Sequence, residues 1–449
     1  MPPKIACLWN RDAEMRRRVK FFAMAVALVV VAAVDFATSD SMLLPAAYAQ
    51  DQTAGQKTRK TPAMRESVYK KLSEAQEASE AGRESEALAI LEDLKRDKNL
   101  NSYELAQLYS FYGFVHFNRE RYNDSIEAYE TVLRQSDLPE AMELSTIYTL
   151  AQLYFTVERY DEAAKKLEQW FRLTTNPGSE PYVLLGQAYY SLDRYEDAIP
   201  PIEKAIELAR ANGKETKENW WLLLRVCYYE LENYPKVVEI LEELLKYEQK
   251  KEYWTQLSAM YSEIGDDRKQ MLAYEMAYIQ GFLDREQELL TLAQLYMQSG
   301  VPWRGSQVLE KGFASDIIEK NASNYRLLAQ SYQMAQEDEK SIAPLTQAAA
   351  LSGDGELSVR LAQAYVNLGR WEEAAEAARE GIRKGGLNRT DSANVLLGMS
   401  LFNLKRYGPA RSAFAEAQKD SRSSAMASQW IAYIGKEEER ESELQRALQ

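Results

Sequence analysis

The chain has 449 residues, of which 46% are hydrophobic and 27% charged, so it has enough apolar material for folded cores and is not a disordered tail. Its 68 acidic and 55 basic residues give a formal net charge of -13, and no stripe of Lys or Arg marks a phosphate-binding face, which argues against a nucleic-acid partner. Two cysteines and one histidine exclude a disulfide framework and a zinc site built from several Cys or His ligands. We therefore expect no metal and no cofactor.

Residues 1–49 are interpreted as a secretory signal peptide. An arginine-rich stretch follows Met15, a candidate start of translation, and leads into an apolar run over residues 21–34. That run is shorter than the roughly 20 residues needed to span a bilayer, and a small-residue cleavage site, Ala-Tyr-Ala, stands at residues 47–49. We expect export to the periplasm without stable membrane insertion after cleavage; an uncleaved anchor is the alternative.

One pattern recurs through the rest of the chain at intervals of roughly 35 residues. The clearest copies begin with a Leu that is followed directly by Gly or Ala, and an aromatic residue or a second Leu stands four places after the first Leu. Another aromatic residue follows six places after that fourth-place residue, and a small residue follows three places after this aromatic residue. The fourth-place position gives one marker residue per copy: Ala78, His116, Tyr154, Tyr189, Tyr228, Tyr261, Tyr296, Tyr332, Tyr365 and Leu401.

This pattern resembles the tetratricopeptide repeat, a pair of antiparallel helices. It predicts an all-α fold, a right-handed superhelical α-solenoid of about ten repeats over residues 64–420. Residues 50–63 are interpreted as a flexible lead-in and residues 421–449 as a capping helix with a charged tail.

Several residues have an expected place in each predicted hairpin. Small residues such as Gly186 in a first helix and Ala198 in a second helix should let the two backbones approach closely. Pro200, Pro201 and Pro344 are expected in the first turn of a second helix, where the backbone N–H groups have no helical acceptor. Aromatic residues should cover the turn between the two helices: Tyr122, Tyr160, Tyr195, Tyr234, Trp371 and Tyr407.

In the repeat family that the pattern resembles, the first helices line a concave groove that holds partner peptides. Five glutamines fall two places after the repeat Leu and would form a ladder of amides suited to the N–H and C=O groups of an extended backbone. They are Gln152, Gln187, Gln294, Gln330 and Gln363. The alternative is that they are solvated or bond to neighbouring copies.

The groove of the early repeats is also predicted to be aromatic. The residues are Phe114, Phe117, Tyr148, Phe155, Tyr190 and Tyr229. Aromatic side chains dominate binding energy when a partner desolvates them, but the same residues could fill the inside of the solenoid as ordinary packing.

An enzyme is not expected. His116 occupies the marker place that Tyr fills in seven other copies, which indicates packing between helices and not a catalytic base. The sequence has no Gly-rich phosphate loop, metal-ligand cluster or nucleophile elbow.

Six stretches carry a closer resemblance, to the periplasmic tetratricopeptide proteins encoded beside the TonB, ExbB and ExbD proteins. They are residues 60–72, 101–114, 217–237, 250–261, 352–368 and 396–407. The resemblance implies a non-enzymatic scaffold that is an accessory of TonB-dependent energy transduction and iron uptake. Its partners would be proteins or peptides, such as periplasmic segments of the TonB complex or outer-membrane receptors. The alternative is a scaffold for outer-membrane or polysaccharide export assembly.

Overall fold

The structure is a computed structural model that describes residues 63–448, and every regular element within them is an α-helix. The predicted signal peptide and nearly all of the predicted lead-in lie outside these residues. The helices are α1 (Glu66–Glu80), α2 (Glu84–Lys95), α3 (Ser102–Asn118), α4 (Tyr122–Leu133), α5 (Glu140–Thr156), α6 (Tyr160–Leu173), α7 (Ser179–Ser191), α8 (Tyr195–Ala211), α9 (Glu218–Glu230), α10 (Tyr234–Tyr247), α11 (Lys251–Glu263), α12 (Asp267–Ile279), α13 (Glu286–Gln298), α14 (Pro302–Ala314), α15 (Ala322–Met334), α16 (Asp338–Leu351), α17 (Glu356–Asn367), α18 (Trp371–Lys384), α19 (Thr390–Asn403), α20 (Tyr407–Gln418) and α21 (Ser424–Leu448). Between residues 63 and 448, none of these helices combines the length and the apolar character that a membrane crossing requires.

Helices α1 to α20 follow one another as ten helical hairpins, and α21 follows the tenth. The chain divides within α10 into two compact units, one ending at Ile240 and the other beginning at Leu241. Inside each unit, successive helices pack on their neighbours in chain order, so that each hairpin buries its apolar stripe against the next. The predicted all-α fold of stacked helical hairpins is confirmed.

All ten hairpins reverse through the same turn. Its central residue has a left-handed backbone, with φ from 55° to 76°, and is Gly in some hairpins and a polar residue such as Glu158 in others. The next residue donates its N–H to the carbonyl five residues earlier, as from Arg159 to Tyr154 at 2.8 Å, which ends the first helix in a Schellman motif. The acceptors are the ten predicted marker residues, including Ala78 of the degenerate first copy, which accepts from Arg83 at 2.8 Å.

The small residues sit where the two helices of a hairpin meet. A Cβ added at Gly186 would lie 2.4 Å from Ile202 Cγ1, and one added at Gly398 would lie 2.8 Å from the Phe414 ring. Ala198, on the facing helix, is fully buried. The predicted close approach is therefore confirmed.

The prediction for the prolines is wrong. Pro200 and Pro201 are the sixth and seventh residues of α8, and Pro344 is the seventh residue of α16, so all three lie inside helices. At these places a Pro removes the bond that its N–H would donate to the carbonyl four residues earlier. Pro201 and Pro344 are buried, so they contribute apolar contacts in the second turn of their helices.

A buried carboxylate in the first turn of a first helix secures each end of the described chain. Near the start, Glu104 is fully buried and accepts from Arg65 Nε at 2.9 Å and Nη2 at 2.8 Å. Near the end, Asp391 accepts from Arg389 Nη2 at 2.7 Å and from Ser423 Oγ at 2.6 Å. These bonds tie the residue before α1 to α3, and α19 to the residue before α21.

The hairpin turn predicts opposite effects of one substitution at two glycines. Gly265 has φ of 76° and open space around it, so Gly265→Ala is expected to lower the free energy of unfolding by about 1–2 kcal/mol through backbone conformation alone. Gly435 lies inside α21, also with open space, so Gly435→Ala should raise that free energy by up to about 1 kcal/mol. Urea denaturation followed by circular dichroism measures both, and equal effects at the two sites would contradict this account of the turn.

The two end carboxylates predict acid sensitivity. The hydrogen bond from Arg65 lowers the pKa of Glu104, and the hydrogen bond from Arg389 lowers the pKa of Asp391. Because both values lie below those of the unfolded chain, the stability that these groups contribute is complete above about pH 5 and is lost progressively as the pH falls further. The protection factors of α1 and α21, which correct hydrogen exchange for the intrinsic rate at each pH, should therefore fall between pH 5 and pH 3 in the natural chain. In Glu104→Gln and Asp391→Asn these protection factors should be lower already at neutral pH and should depend less on pH.

Candidate functional site

A ladder of tyrosine–glutamate hydrogen bonds joins successive hairpins. In each bond the marker Tyr of a first helix donates its hydroxyl to a Glu, which is the ninth residue of the preceding second helix. Tyr189 Oη lies 2.6 Å from Glu168 Oε1, and Tyr228 Oη lies 2.7 Å from Glu203 Oε1. The bonded pairs are Tyr154–Glu130, Tyr189–Glu168, Tyr228–Glu203, Tyr261–Glu242 and Tyr332–Glu310, and Tyr296 lies beside Glu275 at the same two places. Burial first, and the hydrogen bond second, raise the pKa of Tyr189 well above its usual range, so the phenol stays protonated as the donor.

The basic residue at the start of the second helix is engaged on the same side of the hairpin. The Arg194 guanidinium lies 4.5 Å from the centre of the Tyr189 ring, and its Nε donates to Asp197 Oδ2 at 2.8 Å. Arg159 repeats this arrangement over Tyr154, at 4.6 Å, with Glu162 as its carboxylate. Each of these arginines is therefore fixed between the ring of a ladder tyrosine and a carboxylate of its own hairpin.

A row of aromatic pairs lies at the turns of hairpins two to five, all in the first unit. Each pair joins the residue after the marker to the first residue of the second helix, and the ring centres lie 5.2 to 6.2 Å apart. We define the aromatic row as Phe117–Tyr122, Phe155–Tyr160, Tyr190–Tyr195 and Tyr229–Tyr234. These side chains are half-buried except Tyr229, which is 36% exposed.

Of the two roles that the sequence left open for these residues, the structure shows packing, and partner binding stays a prediction. Burial raises the pKa of Tyr190 to about 12, with Cys227 and Glu230 of α9 as further neighbours, so this ring packs against the next first helix. Tyr195 likewise has Glu230 beside it. The pairs therefore fill the joint between hairpins, and because they are not fully buried they also present an aromatic surface along the turns. The predicted cover over the turns is confirmed for Tyr122, Tyr160, Tyr195, Tyr234 and Tyr407.

The other two predicted aromatic residues lie apart from this row. Phe114 packs against the core of the first hairpins, beside residues such as Leu91. Tyr148 contacts Trp170 of α6, with ring centres 5.3 Å apart, and Trp170 leads into a cluster with Phe171 and Tyr182.

The five predicted glutamines are divided between the two units. Gln152 and Gln187 are half-buried in the first unit, whereas Gln294, Gln330 and Gln363 are exposed in the second unit. Gln363 donates to Asn367 Oδ1 at 2.9 Å within its own helix. The role of these amides in binding stays a prediction.

The residues that could suggest chemistry are packed. His116 is half-buried beside Tyr112, with ring centres 6.1 Å apart, and burial lowers its pKa. Cys227 is fully buried, and burial raises the pKa of its thiol to about 12. Among residues 63–448, no group of His, Cys, Asp and Glu side chains is arranged to hold a metal ion.

Comparison with known families matches two parts of the chain. Residues 118–205 match a family described as "Anaphase-promoting complex, cyclosome, subunit 3", and residues 359–425 match the tetratricopeptide repeat family. Together with the ten hairpins between residues 63 and 448, these matches show a fold of stacked helical repeats of the tetratricopeptide kind. A search of curated proteins finds no match.

Solved structures show similar helical repeats. A crystal structure of MamA is 21% identical, covers 38% of this chain and 97% of its own, and has a TM-score of 0.33. A tetratricopeptide repeat protein from Parabacteroides merdae is 18% identical, covers 64% of this chain and 94% of its own, and has a TM-score of 0.33. The TPR2AB domain of yeast Sti1 in complex with pHSP90 is 15% identical, covers 65% of this chain and 98% of its own, and has a TM-score of 0.24. Likenesses this low do not bear on the partner of this chain.

The ladder predicts unequal effects of removing two tyrosine hydroxyls. Tyr189→Phe deletes the bond to Glu168 and should lower the free energy of unfolding by about 1–2 kcal/mol. Tyr365 is the matched control, because the ninth residue of the preceding second helix is Thr346, which cannot act as an anionic acceptor. Tyr365→Phe should change the free energy by less than about 0.5 kcal/mol. Thermal and urea denaturation test the pair, and the ladder has no stabilising role if both variants behave alike.

Proposed function

We propose that this chain is a non-enzymatic periplasmic scaffold that binds an extended segment of another protein along its aromatic row. Tetratricopeptide-repeat proteins generally act as protein–protein interaction scaffolds. The observation that carries the proposal is the recurrence of the aromatic pairs in four consecutive hairpins. Rigid aromatic side chains on a repeated framework supply large contact areas at low entropic cost, and such residues anchor protein interfaces.

A catalytic role has no support in the packed groups. His116 has no carboxylate hydrogen bonded to it, and its Nδ1 is buried without a hydrogen-bond partner among the described residues. A raised thiol pKa keeps Cys227 in the unreactive protonated form. Binding therefore accounts for the surface better than acid–base or nucleophilic chemistry does.

We further propose that the partner belongs to TonB-dependent energy transduction, either a periplasmic segment of the TonB complex or an outer-membrane receptor. The support is the resemblance of the six stretches described in the sequence analysis and the predicted signal peptide. Export by that signal would place the chain in the same compartment as these segments.

Cross-linking in living cells tests the proposal. The full chain, expressed with its own leader and tagged, should capture TonB-system proteins from the periplasm, and capture should fall at least tenfold in the triple variant Phe117→Ala, Phe155→Ala, Tyr190→Ala. The matched control replaces three exposed aromatic residues outside the row, Tyr69, Tyr247 and Trp303, with Ala. Circular dichroism verifies that both variants fold.

The phenotype of a deletion strain distinguishes a role in TonB-dependent transport from a role in outer-membrane or polysaccharide export assembly. Poor growth on chelated iron, restored by the natural chain and not by the triple variant, is the expected result. Normal growth on chelated iron, with loss of surface polymer or outer-membrane proteins, would overturn the TonB assignment in favour of export assembly.

A further inference from the structure

We infer that carboxylates complete the aromatic row into a series of subsites for cationic side chains, so that the bound segment carries several Arg or Lys residues. This inference rests on the proposed function, because it specifies the chemistry of the segment that the row would hold.

The fourth hairpin shows the arrangement most fully. Tyr195 Oη donates to Asp193 Oδ1 at 2.8 Å, which fixes a carboxylate at the edge of the Tyr190–Tyr195 pair. Glu230, from the following first helix, lies near enough to both rings to contribute to the raised pKa of each. One carboxylate is therefore bonded to this aromatic pair, and a second is close enough to act on it electrostatically.

The same arrangement recurs at the neighbouring turns. The left-handed turn residue is acidic and exposed in all four hairpins of the row: Glu120, Glu158, Asp193 and Glu232. Glu158 contributes, after burial, to the raised pKa of Tyr160 in the adjacent pair. Each aromatic pair thus has an acidic side chain three residues after its first member.

The basic residues of these turns do not neutralise the acids. Arg159 and Arg194 lie over the ladder tyrosines and pair with Glu162 and Asp197, which belong to the second helices. Glu158 and Glu230 have no ion pair within residues 63–448. The turn edge of these hairpins therefore retains negative charge in a chain whose net charge is already -13.

Aromatic faces and carboxylates together select cations. A guanidinium or ammonium group is attracted to the negative face of an aromatic ring and forms strong charge-assisted hydrogen bonds to a carboxylate. An acidic or phosphorylated segment would meet repulsion at every turn of the row. Charge complementarity therefore assigns the occupant as a cationic, extended peptide segment.

The tenth hairpin provides a natural contrast. It has the same kind of aromatic pair, Phe402–Tyr407, with ring centres 5.6 Å apart. Its left-handed turn residue, however, is Lys405, which donates to Glu441 of α21 at 3.0 Å. Glu441 also accepts from Tyr407 Oη at 3.1 Å, but the ion pair with Lys405 neutralises this carboxylate, so no cation subsite is expected there.

Fluorescence anisotropy with three labelled twelve-residue peptides tests the inference on the natural chain. The first peptide has Arg at every third position, separated by Gly and Ser; the second has Gln and the third Glu in place of Arg. The Arg peptide should bind at least tenfold more tightly than the other two, with an affinity that falls as salt rises.

Charge variants then locate the site. The triple variant Glu158→Gln, Asp193→Asn, Glu230→Gln should weaken binding of the Arg peptide at least tenfold. The matched control removes the same charge from exposed acids elsewhere in the first unit, through Glu74→Gln, Glu77→Gln and Glu127→Gln, and should change the affinity less than twofold. Equal weakening in both variants, or equal binding of the Arg and Gln peptides, would overturn the inference.

The cross-linking experiment separates this inference from the proposed function. If the aromatic triple variant loses the captured partner and the charge variant retains it fully, the scaffold function stands and the cationic occupant is wrong. If both variants lose the partner and the control does not, both conclusions stand.

Discussion

At most junctions between hairpins, a hydrogen bond from the marker Tyr of one hairpin to the Glu of the hairpin before it constrains how the two repeats meet. A helical hairpin cannot bury its own apolar stripe and must pack on its neighbour, but apolar packing alone tolerates sliding. The hydrogen bond from a phenol to a carboxylate, such as the one from Tyr189 to Glu168 at 2.6 Å, is directional. It therefore allows one register of the two helices that it joins. Within each unit this bond recurs, from Tyr154 to Tyr228 in the first and from Tyr261 to Tyr332 in the second.

That register also places the candidate site. Successive residues of a helix point about 100° apart, so the residue after each marker cannot face the preceding hairpin as the marker does. In α5, α7 and α9 this next residue is Phe155, Tyr190 or Tyr229, and each contacts the aromatic residue that opens the second helix. The bond that joins the repeats and the surface that would bind a partner are therefore adjacent residues of the same motif.

Much of this arrangement could be predicted from the sequence, because features fixed by the period are repeated often enough to be read. The marker register, the close approach at Gly186 and the aromatic cover of the turns are of this kind. The ladder was missed because a Glu on a polar helix face, such as Glu168, is indistinguishable from a solvated one until it is aligned with the Tyr of the next copy. The place of Pro200 and Pro201 was misjudged because the helix start, at Tyr195, is set by the turn and not by the prolines. The partner itself could not be derived, since its binding energy depends on a chain that this sequence does not contain.

The left-handed turns have a consequence for how this chain can change over time. Glycine is the residue that relaxes such a backbone most readily, and Gly82, Gly265, Gly300 and Gly369 hold that position in four hairpins. Hairpins two to five instead keep Glu or Asp there, each with a conformational penalty of about 1–2 kcal/mol. Selection for heat resistance alone is expected to replace the acidic residues at these four turns with glycine, which would also remove their negative charge. Acidic residues that persist at these turns in distant relatives would therefore indicate selection for a role other than folding.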